Sequence, residues 1–202
     1  DGKENAYIVT AMDAETFGHH IHGWENIFLG KAYEIIKDSD KVEAVGISGL
    51  LKIFPAVKTK PPKLSSWSTT NEEIIAGNYY PLWNTPHNSI HRLQWEHMNI
   101  CLAIFQEAED KNDNDKSALF FNTARETLDM ALHSCQFWWA NKARMWSENL
   151  INKGLILQEE AIFNAYLSVA SSGCKDSEKK KCYKKMIVAR CIAGKIRDEI
   201  LA

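Results

Sequence analysis

Two carboxylates and three histidines stand close together near the start of the 202-residue sequence. Asp13 follows a short apolar run and Glu15 lies two residues later, so in an extended chain both carboxylates face the same side. Such a pair suits general acid–base chemistry. His19, His20 and His22 add imidazoles, which with the carboxylates suit a divalent metal ion. Because the spacing matches no recognised zinc motif, we favour hydrogen-bonding or substrate-contacting histidines and expect no metal or cofactor.

A strand and a helix are the elements expected to position these residues. Residues 6–12 form an apolar, β-branched run typical of a buried strand, and residues 23–37 carry apolar side chains at helical spacing. Catalytic groups of barrels and parallel sheets lie at the carboxyl ends of strands, where Asp13 stands. The alternative is that Asp13 and Glu15 belong to a loop that caps the following helix.

A second possible strand occupies residues 42–47, and a short helix is predicted at 48–54. This order favours parallel pairing of the two strands. Residues 58–86 contain four of the five prolines and few periodic apolar positions, so we expect mostly loop there. A loop of that length inside a compact domain is usually functional.

Long amphipathic helices follow. Thr85 is a plausible N-cap of the first and Asp115 of the second, which we expect to end near Trp138, and Gly173 is a suitable stop after the third. Four long helices with short connections favour an antiparallel bundle. The predicted fold class is therefore mainly α, with about four long helices preceded by a small α/β portion of one or two parallel strands. The predicted domains are 1–84 and 85–202.

Composition excludes several classes of protein. The chain is 45% hydrophobic and 25% charged with a net charge of -2, which excludes a disordered chain and a strongly charged nucleic-acid binder. No leader or apolar run of membrane-spanning length is recognisable, so we expect no membrane partner. Five cysteines without C-x-x-C spacing favour free thiols in a reducing cytoplasm. Residues 174–202 carry nine basic and four acidic side chains, which we interpret as a solvated helix face and not a nucleic-acid site.

Three stretches carry recognisable motifs: D-A-E-T-F-G-H at 13–19, S-S-W at 65–67 and S-C-Q-F-W-W at 134–139. Together they resemble glycoside hydrolase family 57. The sequence D-A-E-T-F-G-H at 13–19 is similar to the family's last catalytic motif, written D-A-E-L-F-G-H-W in its branching-enzyme members. S-S-W at 65–67, followed by Leu82 and Trp83, resembles the S-S-W-G segment ahead of the family's helical domain. S-C-Q-F-W-W at 134–139 is a weaker match to a serine and aromatic cluster. The order and spacing agree, so the resemblance spans nearly the whole chain as the C-terminal part of a longer protein.

The resemblance implies a fold and a mechanism. Residues 1–84 would be the C-terminal part of an incomplete parallel (β/α) barrel with a long active-site loop, and the bundle would pack beside it. The implied enzyme acts on α-glucans with retention of configuration, using two carboxylates. Asp13 matches the acid/base. The nucleophilic glutamate lies on an earlier strand in the family, so we expect this chain to lack the nucleophile and the N-terminal barrel portion and to be inactive alone.

The expected partner is an α-glucan or oligosaccharide. Glu15 and His19 match family motif positions, as Gly18 does, whereas Thr16 replaces a leucine and His20 replaces a tryptophan that would offer an aromatic platform. An indole face stacks well on a pyranose ring, and of the seven tryptophans two lie in the predicted loop. The expected substrate-binding residues are therefore Glu15, His19, His20, Trp67 and Trp83. We expect the other tryptophans to pack in cores, namely Trp24, Trp95, Trp138, Trp139 and Trp146.

Two other functions stay open from the sequence. One is a non-catalytic helical domain that binds carbohydrate or another protein. The other is a metal-dependent, deacetylase-like site at the histidine-rich segment. The remaining histidines point to neither, since His87 and His91, one turn apart, are typical of helix surface or packing, and His97 in an apolar stripe is typical of a hydrogen-bonded core residue.

Overall fold

Helical segments dominate the protein, as the sequence predicts. The computed structural model describes residues 5–202 and divides the chain into two units, unit 1 ending at Pro61 and unit 2 running from Pro62 to Ala202. Residues 62–84 belong to the same unit as the long helices. This division rests on packing alone, and the family-based boundary after residue 84 stays a prediction.

Unit 1 consists of short helical elements joined by extended chain. A single-turn 3-10 helix covers Ala14–Thr16, and a π-helix at Glu25–Gly30 continues directly into α1 (Lys31–Lys37). Helix α2 covers Ile47–Ile53 and ends ahead of Pro55, which cannot continue a helix. The helices predicted at 23–37 and 48–54 are thus confirmed, although the first begins in the π form.

The parallel strands predicted at 6–12 and 42–47 are not supported by the described residues. Both segments are free of strand structure, and the parallel pairing described in unit 1 is a single bridge between Phe17 and Ile21. A β-strand exists only where a second strand exchanges backbone hydrogen bonds with it. Among the described residues, neither segment has such a partner. The side chains remain in solvent, with Ile8 91% exposed and Val9 62% exposed.

Unit 2 contains the four long helices that the sequence predicts, together with two short helices and a small hairpin. In chain order they are α3 (Asn71–Ile75), α4 (Ser89–Asp110), α5 (Asp115–Ala131), α6 (Cys135–Trp138), β1 (Ala140–Asn141), β2 (Met145–Trp146), α7 (Glu148–Ser171) and α8 (Asp176–Leu201). Strands β1 and β2 pair antiparallel. The predicted loop at 58–86 is confirmed except for α3, whose N-terminal end is fixed by a capping box between Thr70 and Glu73.

The ends of the long helices differ from the prediction by a few residues. Asn88 caps α4 through a bond from the His91 N–H, because the Thr85 hydroxyl is committed to the Pro81 carbonyl. Asn114, not Asp115, caps α5. Helix α5 also ends at Ala131, so that residues 135–138 form a separate helix and not its last turn.

The core of unit 2 lies around α7, which packs against α4, α5 and α8. Alanines such as Ala161 and Ala165 are buried and let the helices approach closely, while Leu155 and Ile151 fill the end of the core nearer the hairpin. All five cysteines are free, as predicted. Burial raises the pKa of the Cys101 and Cys182 thiols to about 12. Within residues 5–202, no helix combines the length and apolarity needed to cross a bilayer.

Candidate functional site

The Asp13 segment of unit 1 is exposed and its carboxylates are not used for local structure. Asp13 immediately precedes the 3-10 helix Ala14–Thr16, yet its side chain makes no capping hydrogen bond. The helix predicted at 23–37 begins after Trp24, also without a side-chain cap, so the loop caps neither element through a side chain. Glu15 is also exposed, and in the described part of the chain neither carboxylate makes an ion pair. Both oxygens of each side chain stay available to a ligand.

A tight turn follows and depends on Gly18. The Glu15 carbonyl accepts hydrogen bonds from the N–H groups of His19 and His20, at 3.2 and 2.8 Å. Gly18 has a φ of +114°, which side chains rarely adopt, and an added Cβ would lie 3.0 Å from the Glu25 carboxylate. The turn places the His19 and His20 rings 5.1 Å apart, both exposed. The motif thus presents two carboxylates and two imidazoles to solvent.

These side chains do not form a metal centre. Among residues 5–202, no group of three or more His, Cys, Asp or Glu side chains is arranged to hold a metal ion. The segment can act through proton transfer and hydrogen bonding, and its catalytic and binding roles stay predictions.

Unit 2 brings three tryptophans together, which we call the aromatic cluster: Trp67, Trp83 and Trp138. Their ring centroids lie 6.0 Å apart for Trp67 and Trp83, 5.6 Å for Trp67 and Trp138, and 5.5 Å for Trp83 and Trp138. All three pairs meet edge to face, a favourable arrangement for aromatic rings. Trp67 is 73% exposed, so the cluster opens to solvent.

The cluster corrects one sequence prediction and joins three motifs. Trp67 and Trp83 lie on loops as predicted, but Trp138 packs against them instead of serving only the helix core. Trp139 and Trp146 do pack against the core. The S-S-W, L-W and S-C-Q-F-W-W segments therefore meet at one place. The weak third match was the signal that could have identified Trp138.

A directed chain of hydroxyl bonds shapes the Trp67 loop. The Thr69 hydroxyl donates to the Tyr79 carbonyl at 2.8 Å, so its oxygen must accept from the Ser66 N–H at 2.7 Å and from the Ser66 hydroxyl at 2.6 Å. These bonds close the loop around Trp67 and tie it to residue 79. The second serine of the S-S-W motif therefore has a positioning role.

The Trp83 loop is anchored from α4. The Trp95 indole N–H donates to the Trp83 carbonyl at 2.9 Å, and the Trp95 ring stacks on Phe137 with centroids 4.6 Å apart. Asn141 in β1 donates to the Pro81 carbonyl at 3.1 Å. Trp95, expected in a core, is 38% exposed and instead links the loop to α6.

A buried chain of amides lies beneath α6. Gln136 donates to the Ala131 and His133 carbonyls, which can only accept, so its Oε1 must accept from Gln158 Nε2 at 2.6 Å. Gln158 Oε1 in turn accepts from His97 Nδ1 at 2.6 Å. Because the Ala131 and His133 carbonyls can only accept, they determine which group donates and which accepts in every bond of this series. The series of bonds fixes the position of α6 relative to α4 and α7.

His97 is a core residue as predicted, but only one ring nitrogen is hydrogen-bonded. Its Nε2 is buried and has no partner among the described residues. Burial lowers the pKa of His97, and Arg197 acts in the same direction while Gln158 and Glu159 act against it. His97 is therefore neutral near pH 7. His91 is also fully buried, whereas His87 is exposed, so the pair holds no ligand between them.

The two units thus offer different chemistry. Unit 1 presents an exposed carboxylate motif, and unit 2 presents an open aromatic cluster on hydrogen-bonded loops. A flat, partly exposed indole surface can stack on apolar faces of a ligand, and sugars are among the polar ligands that possess such faces. No family model, curated protein or solved structure matches the chain, so its function is inferred from these residues and their geometry.

Proposed function

We propose that the aromatic cluster binds an α-glucan chain, in a protein related to the glycoside hydrolases and glucanotransferases of family 57. The observation that carries the proposal is the exposure of Trp67 within a cluster whose other two members hold its ring in place. A tryptophan that served only core packing would be covered. An open indole face instead favours a ligand that stacks on it.

Preorganisation supports the same proposal. The Trp67 loop is closed by the Ser66 and Thr69 bonds, and the Trp83 loop is held by Trp95, so neither ring must be ordered when a ligand arrives. Immobilising a flexible side chain costs roughly 0.5–1.5 kcal/mol, a large fraction of a weak sugar contact. A fixed cluster therefore suits oligosaccharide binding.

For catalysis we propose Asp13 as the general acid/base. Its exposed and uncommitted carboxylate supports this role, with Glu15, His19 and His20 contacting substrate beside it. In a retaining mechanism Asp13 protonates the leaving glycosidic oxygen and then deprotonates the incoming water or sugar hydroxyl. The attacking carboxylate would stand about 5 Å away, on a barrel strand that this sequence does not supply.

The finer fold is part of the same proposal. Residues 6–12 and 42–47 would become parallel strands when neighbouring barrel strands pair with them. The apolar and β-branched composition of these segments and the exposure of Ile8 and Val9 support it, because such residues belong on a buried sheet.

Binding is tested by isothermal titration of the 202-residue chain with maltoheptaose. We expect Trp67→Ala to weaken binding about tenfold or more, about 1.4 kcal/mol, because it removes the open indole face. Tyr183→Ala is the matched control, since it removes a half-exposed ring from α8 away from the cluster. Absence of binding by the unsubstituted chain, or equal binding by Trp67→Ala, contradicts the proposal.

Catalysis is tested in the protein with its barrel complete. There Asp13→Asn should lower glucan cleavage or transfer about a hundredfold or more while leaving the affinity unchanged, because the amide cannot exchange the proton. Undiminished turnover ends the assignment of Asp13.

A non-catalytic carbohydrate-binding domain is the second candidate function. It is favoured by one observation: the aromatic cluster lies wholly in unit 2, which has its own core. Glucan binding without any turnover by the protein with its barrel complete would support this candidate over the enzyme.

A further inference from the structure

One buried imidazole bonds two of the segments that carry the aromatic cluster. His91, in the first turn of α4, is 0% exposed. Its Nδ1 lies 3.1 Å from the Thr85 nitrogen, and its Nε2 lies 2.9 Å from the Phe137 carbonyl oxygen. Thr85 stands two residues after Trp83, and Phe137 immediately precedes Trp138. One ring therefore joins both tryptophan-bearing segments.

The partners fix the state of that ring. A backbone N–H can only donate and a carbonyl can only accept, so Nδ1 accepts from Thr85 and Nε2–H donates to Phe137. Only the neutral tautomer with its proton on Nε2 makes both bonds. Burial lowers the pKa of His91, which favours that neutral state. Both ring nitrogens are satisfied, in contrast to His97.

Two further residues of α4 reinforce the link. Gln94 is buried and donates to the Gln136 carbonyl at 3.0 Å, and Trp95 donates to the Trp83 carbonyl at 2.9 Å. The start of α4 therefore contacts each segment at two points. Because a helix is stiff, residues spaced along it hold the two segments at a fixed separation.

We propose that His91 is a positioning residue that sets the geometry between Trp83 and Trp138. Without it, each segment keeps one hydrogen bond to α4, and the two rings are free to shift. Its effect on glucan affinity rests on the proposed function, whereas its effect on ring geometry does not.

The test compares three variants. His91→Leu removes both bonds at similar volume, whereas His91→Gln offers an amide oxygen to Thr85 and an amide N–H to Phe137. Val169→Ala is the stability control. Val169 lies in α7 and is fully buried in the helix core, but it takes no part in the hydrogen bonds that hold the aromatic cluster. Each variant is measured by urea unfolding, by near-ultraviolet circular dichroism of the tryptophans, and by maltoheptaose titration.

We expect folded His91→Leu to lose most of the tryptophan dichroism and to bind maltoheptaose about tenfold more weakly. His91→Gln should restore both, and Val169→Ala should lower stability without changing either. The proposal is overturned if His91→Leu keeps the dichroism, or if Val169→Ala reproduces the loss. If the unsubstituted chain binds no sugar, the proposed function fails while the dichroism still decides the role of His91.

A measurement on the unsubstituted protein covers the case in which His91→Leu does not fold. Nitrogen-15 NMR should show His91 protonated on Nε2 alone at neutral pH, with the Thr85 amide protected from exchange. A freely exchanging Thr85 amide, or a proton on Nδ1, contradicts the proposal.

Discussion

The two units have similarly apolar sequences but differ in what they bury. In unit 2, Ile104, Leu155 and Ile196 are all 0% exposed. In unit 1, none of residues 5–61 is buried, and Ile8 is 91% exposed. The reason lies in the elements. An amphipathic helix buries its apolar face against other helices, whereas a strand also needs a neighbouring strand to exchange backbone hydrogen bonds with it. Apolar sequence therefore predicts an element, but not the partner that buries it.

The two units should differ most in how much the truncation of an apolar side chain lowers the free energy of unfolding. Leu155→Ala should lower the free energy of unfolding by about 2–5 kcal/mol, because it leaves a cavity in a packed core. Ile8→Ala should change it by less than about 0.5 kcal/mol, since the side chain is already in solvent. Urea unfolding followed by helical dichroism measures both. Equal effects would mean that unit 1 has a core of its own.

The next largest changes in stability are expected when two helical glycines of unit 2 are replaced by alanine. A Cβ at Gly154 would overlap the Gln136 amide and lie 2.7 Å from its Cβ, whereas a Cβ at Gly194 meets nothing within 4 Å. Gly154→Ala should therefore destabilise the protein by about 1–3 kcal/mol. Gly194→Ala should stabilise it by about 0.5–1 kcal/mol through helix propensity. The same urea titration separates them, and a neutral Gly154→Ala would show that the Gln136 chain is not rigid.

Acid should weaken unit 2 through its buried histidines. Unfolded histidines protonate near pH 6.5, but burial lowers the pKa of His91 and His97 in the folded protein. As the pH falls below about 6.5, the unfolded state binds protons that the folded state does not, so stability falls. The stability that these two histidines contribute is fully present above about pH 6.5. Unfolding midpoints at pH 7 and pH 5 measure its loss. The double variant His91→Gln, His97→Gln should show a flatter dependence of stability on pH.

The smallest expected effect concerns the Trp67 loop. Ser66→Ala removes a hydroxyl that donates to Thr69 and should lower stability by about 1 kcal/mol. Ser65→Ala should have almost no effect, since that exposed hydroxyl makes one long bond, 3.3 Å, to the Lys63 carbonyl. Identical unfolding curves for the two variants would deny Ser66 its positioning role.

The sequence predicted the elements of unit 2 well and its connections less well. Apolar periodicity identified α4, α5, α7 and α8, because their faces are buried against one another. The caps were missed at Asn88 and Asn114, since Thr85 and Asp115 are also residue types that cap helices. Which one caps depends on tertiary bonds, such as that from Thr85 to Pro81.

The candidate site was predictable only in part. Loop position pointed to Trp67 and Trp83, which meet in the aromatic cluster, whereas the role of Asp13 stays a prediction from the motif. Trp138 and His91 were missed as site residues because their roles come from contacts between segments far apart in the chain. A buried histidine that hydrogen-bonds two backbone groups has the same local sequence pattern as one that merely packs.

Hydrogen exchange of the whole chain, with and without maltoheptaose, tests the central claim most directly. Unit 2 is proposed to carry a sugar-binding aromatic cluster on a core of its own, whereas residues 5–61 bury no side chain. We predict strong protection in α4, α7 and α8, little protection in residues 5–61, and increased protection around Trp67, Trp83 and Trp138 when sugar is added. Strong protection in unit 1 without sugar, or no change around the three tryptophans with it, would contradict the account.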